Sequence, residues 1–158
     1  MKTREELTRA VIQRAKAFDA TVMCRGMDMV KKKLWEIKGK MEEKKATAVE
    51  EDMYTTLEVV YEFYLRGFAF HTVDFFRSDA IQFQVDEEHN ALIPPLASLP
   101  GLGDVVAKSV VEKREGKTFV SVEEAVSACS KLTGTHVELL REQGAFGDLP
   151  MESQLTLF

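Results

Sequence analysis

The stretch Leu99-Pro100-Gly101-Leu102-Gly103 constrains this chain more than any other. It follows Pro94-Pro95-Leu96 and precedes the helix-like run from Asp104 to Val111. Two glycines one residue apart allow a tight turn that another molecule can approach closely. The amides of that turn, and those of the next helix's first turn, point outward. An anion is their natural acceptor. Two helices joined this way make a helix-hairpin-helix, and the anion that fits is a nucleic-acid backbone phosphate, which looks alike at every base. An ordinary helix–helix turn uses the same glycines, so the neighbours matter. Val106, Val110 and Val111 give the following helix an apolar face, while Lys108, Lys113, Arg114 and Lys117 bring cations near the turn. Gly101, Leu102, Gly103, Lys108, Lys113 and Arg114 are therefore the candidate phosphate-binding residues. Asp104, Glu112 and Glu115 offset part of that charge.

At 158 residues and 45% hydrophobic, the chain has enough material for one sizeable core or two small modules. A formal charge of −5 argues against strong free-standing affinity for nucleic acid, because non-specific binding comes mainly from phosphate neutralisation. No signal peptide is visible at the start and no apolar run approaches bilayer length, so the chain reads as cytoplasmic with no membrane partner. Cys24 and Cys129 lack the paired spacing of a metal or redox motif and read as reduced, structural thiols.

The chemistry of catalysis is missing from the pattern. Asp74, Asp79, Asp86, Glu87 and Glu88 lie in one region, but scattered carboxylates are ordinary surface groups. His71, His89 and His136 show no ligand spacing. The expectation is no catalytic residue, no confident metal site and no cofactor in this chain.

The order of elements is mainly α with a small β-hairpin. Thr3 and Glu6 form a capping box, and Leu7, Ala10, Val11, Ala15 and Phe18 recur at helical spacing, predicting a first helix of about four turns. Met23, Met27, Val30, Leu34, Ile37 and Met41 make one stripe along a second, longer helix, read as core or a partner seam. Lys31 to Lys33 on that helix read as a solvated face. Met53, Leu57, Val60, Tyr61, Tyr64 and Leu65 give a third helix, stopped by Gly67. Ile81, Phe83 and Val85 then alternate as a strand, 86–90 turns, and Ala91 to Ile93 returns. Phe68, Phe70, Phe75, Phe76 and Phe83 could stack on bases, but phenylalanines at this density fill a core.

Beyond the glycine hairpin, Ser121 with Glu124 caps one helix, and Thr135 with Glu138 caps another that ends at Gly144. Leu132-Thr133-Gly134-Thr135 occupies the place of a second hairpin, with one glycine and few cations. The whole reads as a tandem helix-hairpin-helix module with a degenerate second hairpin, preceded by long helices. The expected organisation is a helical part over 1–66, the module over 67–149, and a flexible tail over 150–158. That tail ends in Gln154-Leu155-Thr156-Leu157-Phe158. One amide side chain and three apolar anchors suit a concave groove on a partner, and equally a fold back onto the chain's own surface.

These residues carry a resemblance. The tail looks like the bacterial sliding-clamp-binding pentapeptide. The stretch from Gly67 through Arg77-Ser78, Leu92-Ile93-Pro94-Pro95 and the glycine hairpin to Gly144-Ala145-Phe146 resembles the C-terminal end of the PolC-type DNA polymerase III alpha subunit. The resemblance runs from about Arg14 onward. It implies a module that grips primer–template duplex, a tail docked on the sliding clamp, and an N-terminal part contributing the rear of the fingers. It also implies further polymerase domains as partners, with the catalytic Mg2+ ions held outside this stretch. Carbonyls of Leu99 and Leu102 are implied to hold a monovalent cation beside the phosphate. A helix-hairpin-helix accessory domain of a repair enzyme or nuclease is the alternative from another class, and a pure protein-interaction module is a third.

Overall fold

Thr3, Asp19, Thr47, Ser121 and Thr133 each accept a backbone N–H at the start of a helix with a side-chain oxygen. These caps set most of the helix boundaries, because the first-turn amides have no partner inside the helix. The computed structural model describes residues 1–152, so Gln154 to Phe158 lie outside the described residues. Within them, α1 (Arg4–Ile12), α2 (Ala20–Met23), α3 (Met27–Glu42) and α4 (Ala48–Leu65) precede a small sheet. The helices α5 (Asp104–Arg114), α6 (Val122–Ala128) and α7 (Gly134–Glu142) follow it. The fold class is thus mainly α with a small sheet, as the patterning predicts.

Two helices are shorter than the apolar spacing predicts. The first stops at Ile12 and gives way to a 3-10 turn over Ala15–Ala17, so Ala15 and Phe18 continue its face without continuing its helix. The Met23-to-Met41 stripe is broken at Gly26, whose φ of +105° is a left-handed backbone open to glycine. Val30 and Ile37 in the middle of the stripe are fully buried against α4, while Met27 and Met41 at its ends are exposed. Arg14 ties the first segment to α4, donating from Nε to Thr56 Oγ1 (3.1 Å) and pairing with the Asp52 carboxylate.

The sheet holds one strand more than the expected hairpin. β2 (Gln84–Asp86) and β3 (Ala91–Ile93) pair antiparallel with Val85 opposite Leu92. β1 (Ala69–Phe70) joins the other edge of β3 in parallel, giving the order β1-β3-β2. The hairpin begins at Gln84 and not at Ile81, which is exposed. Asn90, with φ +50°, closes the turn, as the short side chain of asparagine tolerates.

One buried cluster runs from Leu7, Val11 and Met23 through Phe63, Phe75 and Leu92 to Leu140 and Phe146. Phenylalanines knit it. Phe18 lies 5.1 Å from Phe70 and 5.0 Å from Phe83, and Phe75 lies 5.1 Å from Phe146. Core is therefore their role; Phe76 is the exposed exception.

Candidate nucleic-acid interface

Leu99 and Leu102 fix the hairpin from below. Both side chains are buried, at 1% and 2% exposure, whereas Gly101 and Gly103 between and beside them are exposed. The two leucines, three residues apart, therefore point inward, and Pro100, Gly101 and Gly103 face solvent. The Leu102 amide donates to the Leu99 carbonyl at 3.0 Å. This corrects the expectation that Leu102 offers a free donor, since its N–H closes the turn and its side chain anchors it. Gly101 takes φ +93°, so the turn itself requires glycine there.

Gly103 is not required by the turn. Its backbone is ordinary (φ −71°, ψ 166°), and a Cβ built on it meets nothing within 4 Å. Nothing inside the fold demands glycine there, and a side chain would stand in open space at the start of α5. Gly103 is also the N-cap of α5 and supplies no side-chain cap. The first-turn amides of Asp104, Val105 and Val106 lack an intrahelical partner by helix geometry, and the helix dipole adds positive potential at the same end.

Cations sit along one flank of this helix. Lys108 and Lys113 are exposed, and with Ser109, Glu112 and Lys131 they line a shallow depression of about 500 Å³. Lys131 comes from the turn between α6 and α7, which the chain's spacing alone does not bring to this flank. Arg114 departs from the expected set. Its guanidinium turns inward and donates to the carbonyls of Phe75 (2.6 Å) and Ser78 (2.5 Å). Burial pushes its pKa down, and Asp74 and Asp79 push it back up. It staples the loop between β1 and β2 to the end of α5, so that of the three expected cations Lys108 and Lys113 are the ones left exposed.

The second hairpin is satisfied from within. Thr133, not Thr135, caps α7: its hydroxyl accepts the His136 amide, and His136 Nδ1 accepts the Thr133 amide at 3.1 Å. Histidine here takes the part that glutamate plays in a capping box. His136 Nε2 lies 3.1 Å from the Gly101 carbonyl, so the second hairpin braces the first. Glu138 and Glu142 line the hollow beside Pro100 and Gly134, an unwelcoming surface for phosphate.

The acidic residues of the loop between β1 and β2 hold backbone. Asp74 Oδ1 accepts the Phe76 amide and Asp79 Oδ1 accepts the Ala80 amide, both at 2.8 Å. Two histidines that showed no ligand spacing do converge, however: His71 and His89 both meet Asp86. The signal in the sequence is the Asp86–His89 step of three residues in a tight turn. His71 is brought in only by the sheet.

A buried-leucine turn that exposes two glycines ahead of an uncapped helix defines a helix-hairpin-helix protein, and the chain belongs to the helix-hairpin-helix motif family, whose profile matches residues 67–155. Over 145 residues it is 42% identical to the DNA polymerase III PolC-type of Streptococcus pneumoniae. Over the same length it is 43% identical to those of Streptococcus sanguinis and Streptococcus thermophilus. Each alignment takes in 92% of this chain and 10% of the relative. The chain thus spans about a tenth of the length of the curated relatives it matches. Among the described residues, no helix is long and apolar enough to cross a membrane.

Proposed function

We propose that this chain is a non-catalytic, duplex-holding part of a replicative DNA polymerase, working in the cytoplasm. The observation that carries the reading is the exposed Gly101–Gly103 turn feeding the uncapped start of α5, with Lys108, Lys113 and Lys131 on its flank. It occurs in a chain whose relatives are named as polymerases. The amides of Gly103 and the first turn of α5 take one backbone phosphate, and the lysines take its neighbours, so the grip is indifferent to sequence. The Leu99 carbonyl accepts one N–H and keeps a second lone pair. With the Leu102 carbonyl it fits a monovalent cation, which would lend positive charge beside that phosphate. The polymerase chemistry and its Mg2+ ions belong to further domains that this part supports.

The tail completes the proposal. Gln154, Leu155, Thr156, Leu157 and Phe158 dock on the sliding clamp, with Gln154 setting register by hydrogen bonds and the apolar residues filling pockets. Two weak contacts on one chain raise apparent affinity by about 10² to 10⁴ when both engage at once. That accounts for a net charge of −5 in a DNA-holding part, because a tethered grip works best when it is weak enough to slide.

The test uses fluorescence anisotropy with a labelled primer–template duplex at low salt, and calorimetry with a bacterial sliding clamp. The intact chain should bind both. A version ending at Ser153 should keep the duplex and lose the clamp. No duplex binding by either version overturns the grip, and clamp binding that survives truncation overturns the tail's role.

A further inference from the structure

We propose that His71, Asp86 and His89 form a binding site for one divalent transition-metal ion of the zinc class. Asp86 Oδ2 lies 2.8 Å from His71 Nε2 and 2.8 Å from His89 Nδ1, and all three candidate ligand atoms fall within 4.8 Å of one another. The two imidazole rings stand nearly perpendicular, 83° apart with centroids 6.1 Å from each other, so each aims one nitrogen at the same oxygen. A four-coordinate ion with bonds of about 2.0–2.2 Å separates its ligand atoms by roughly 3.3 Å. The two contacts to Asp86 at 2.8 Å therefore open by roughly half an ångström, and the two imidazole nitrogens, already within 4.8 Å of each other, settle to the same separation.

Sheet and turn hold the three ligands in place. The His71 amide donates to Leu92 O (2.9 Å) just past β1, Asp86 ends β2, and the His89 amide donates to Asp86 Oδ1 (3.3 Å) across the turn. The three side chains thus come from both edges of a sheet whose centre is β3, and an ion among them would pin β1 to β2. Two imidazole nitrogens with one carboxylate oxygen suit zinc, cobalt or nickel and disfavour magnesium and calcium, which prefer oxygen. Each neutral imidazole binds by shifting its proton to its other nitrogen, and Asp86 binds as the anion, so no co-reactant is needed. His89 is largely exposed, which leaves the fourth position open to water or to an oxygen of an anionic partner. The inference is independent of the duplex reading, since none of these residues belongs to the glycine hairpin.

The experiment titrates the chelator-treated full chain with zinc chloride by calorimetry and repeats the titration with Co2+ under visible spectroscopy. One ion per chain should bind saturably with micromolar or tighter affinity, and Co2+ should show the absorption of a four- or five-coordinate nitrogen–oxygen site. His89→Ala, in an exposed turn, and Asp86→Asn should each weaken binding at least tenfold with an unchanged circular dichroism spectrum. His136→Ala should bind as the parent does. Absent or non-stoichiometric binding by the parent chain overturns the proposal. So does affinity indifferent to both substitutions, or a thiolate-to-Co2+ band that places the ion at Cys24 or Cys129.

Discussion

His136 holds the turn that carries Gly101: its Nε2 lies 3.1 Å from the Gly101 carbonyl while its Nδ1 accepts the Thr133 amide. With Nδ1 accepting, the neutral ring carries its proton on Nε2, the tautomer that donates to Gly101. One side chain therefore caps α7 and fixes the neighbouring hairpin. His136→Ala should cost about 1 kcal/mol in urea unfolding. It should also raise the hydrogen-exchange rates of the amides around Gly101, with a matching loss of duplex affinity. Unchanged exchange there would mean that the leucine anchors suffice.

Gly103→Val separates folding from binding. The open space around Gly103 predicts a melting temperature close to that of the parent, while a side chain standing over the amides of α5 should lower duplex affinity by about 10- to 100-fold. That range is the worth of one charge-assisted hydrogen bond. Gly101→Val should instead destabilise the fold, because φ +93° is strained for any side chain. Equal effects of the two substitutions on melting would contradict this division.

The lysines and Arg114 should behave in opposite ways. Lys108→Gln and Lys113→Gln, at exposed positions, should leave stability within about 0.5 kcal/mol and each reduce the salt slope of duplex binding by about 1. Arg114→Gln should cost about 2 to 3 kcal/mol through its lost bonds to Phe75 and Ser78, with the salt slope unchanged. Thermal melts and salt titrations of the three variants decide the matter.

Alkali should unfold the chain early. Burial, with Asp19 adding to it, pushes the Cys24 thiol up to about 12, and burial also raises the Tyr64 phenol, whose hydroxyl donates to Met23 O at 2.6 Å. Both groups keep their protons in the folded chain at pH values where the unfolded chain releases them. Their contribution is thus complete below about pH 9 and is lost as pH rises from there toward 12. Urea midpoints should fall between pH 8.5 and about 10.5, and Cys24→Ala should flatten the fall. At pH 8 the native Cys24 should react slowly with a thiol reagent, because the thiolate is the nucleophile.

What the sequence made legible was local. Thr3 and Ser121 announce their helices because a cap and its partner amide are three residues apart. Gly67 and Gly144 mark helix ends because the chain there takes a positive φ that glycine adopts freely. The glycine hairpin could be placed to the residue. What escaped was made by distant pairings. Ala69 meets Ala91 in a parallel strand too short to show a pattern, and only this pairing, added to that of β2 with β3, brings His71 to Asp86. Arg114 is a cation like its neighbours in the sequence, and only the carbonyls of a loop 36 and 39 residues earlier turn it inward. Thr133 gives no capping signal in the sequence because its partner is a histidine, where a capping box ordinarily has glutamate.

The segment after α7 does not leave the fold freely. Val122 and Glu123, at the start of α6, donate their amides to the carbonyls of Pro150 (2.8 Å) and Met151 (3.0 Å), so the expected tail is moored for its first residues. Beyond the mooring, six residues reach at most about 20 Å at full extension. Any body that grasps the chain's final residues is therefore kept on a short leash, close to the first turn of α6. Under the proposed docking, a partner held there would have little freedom to wander, and where it stood would be set by two backbone hydrogen bonds as much as by the peptide it recognised.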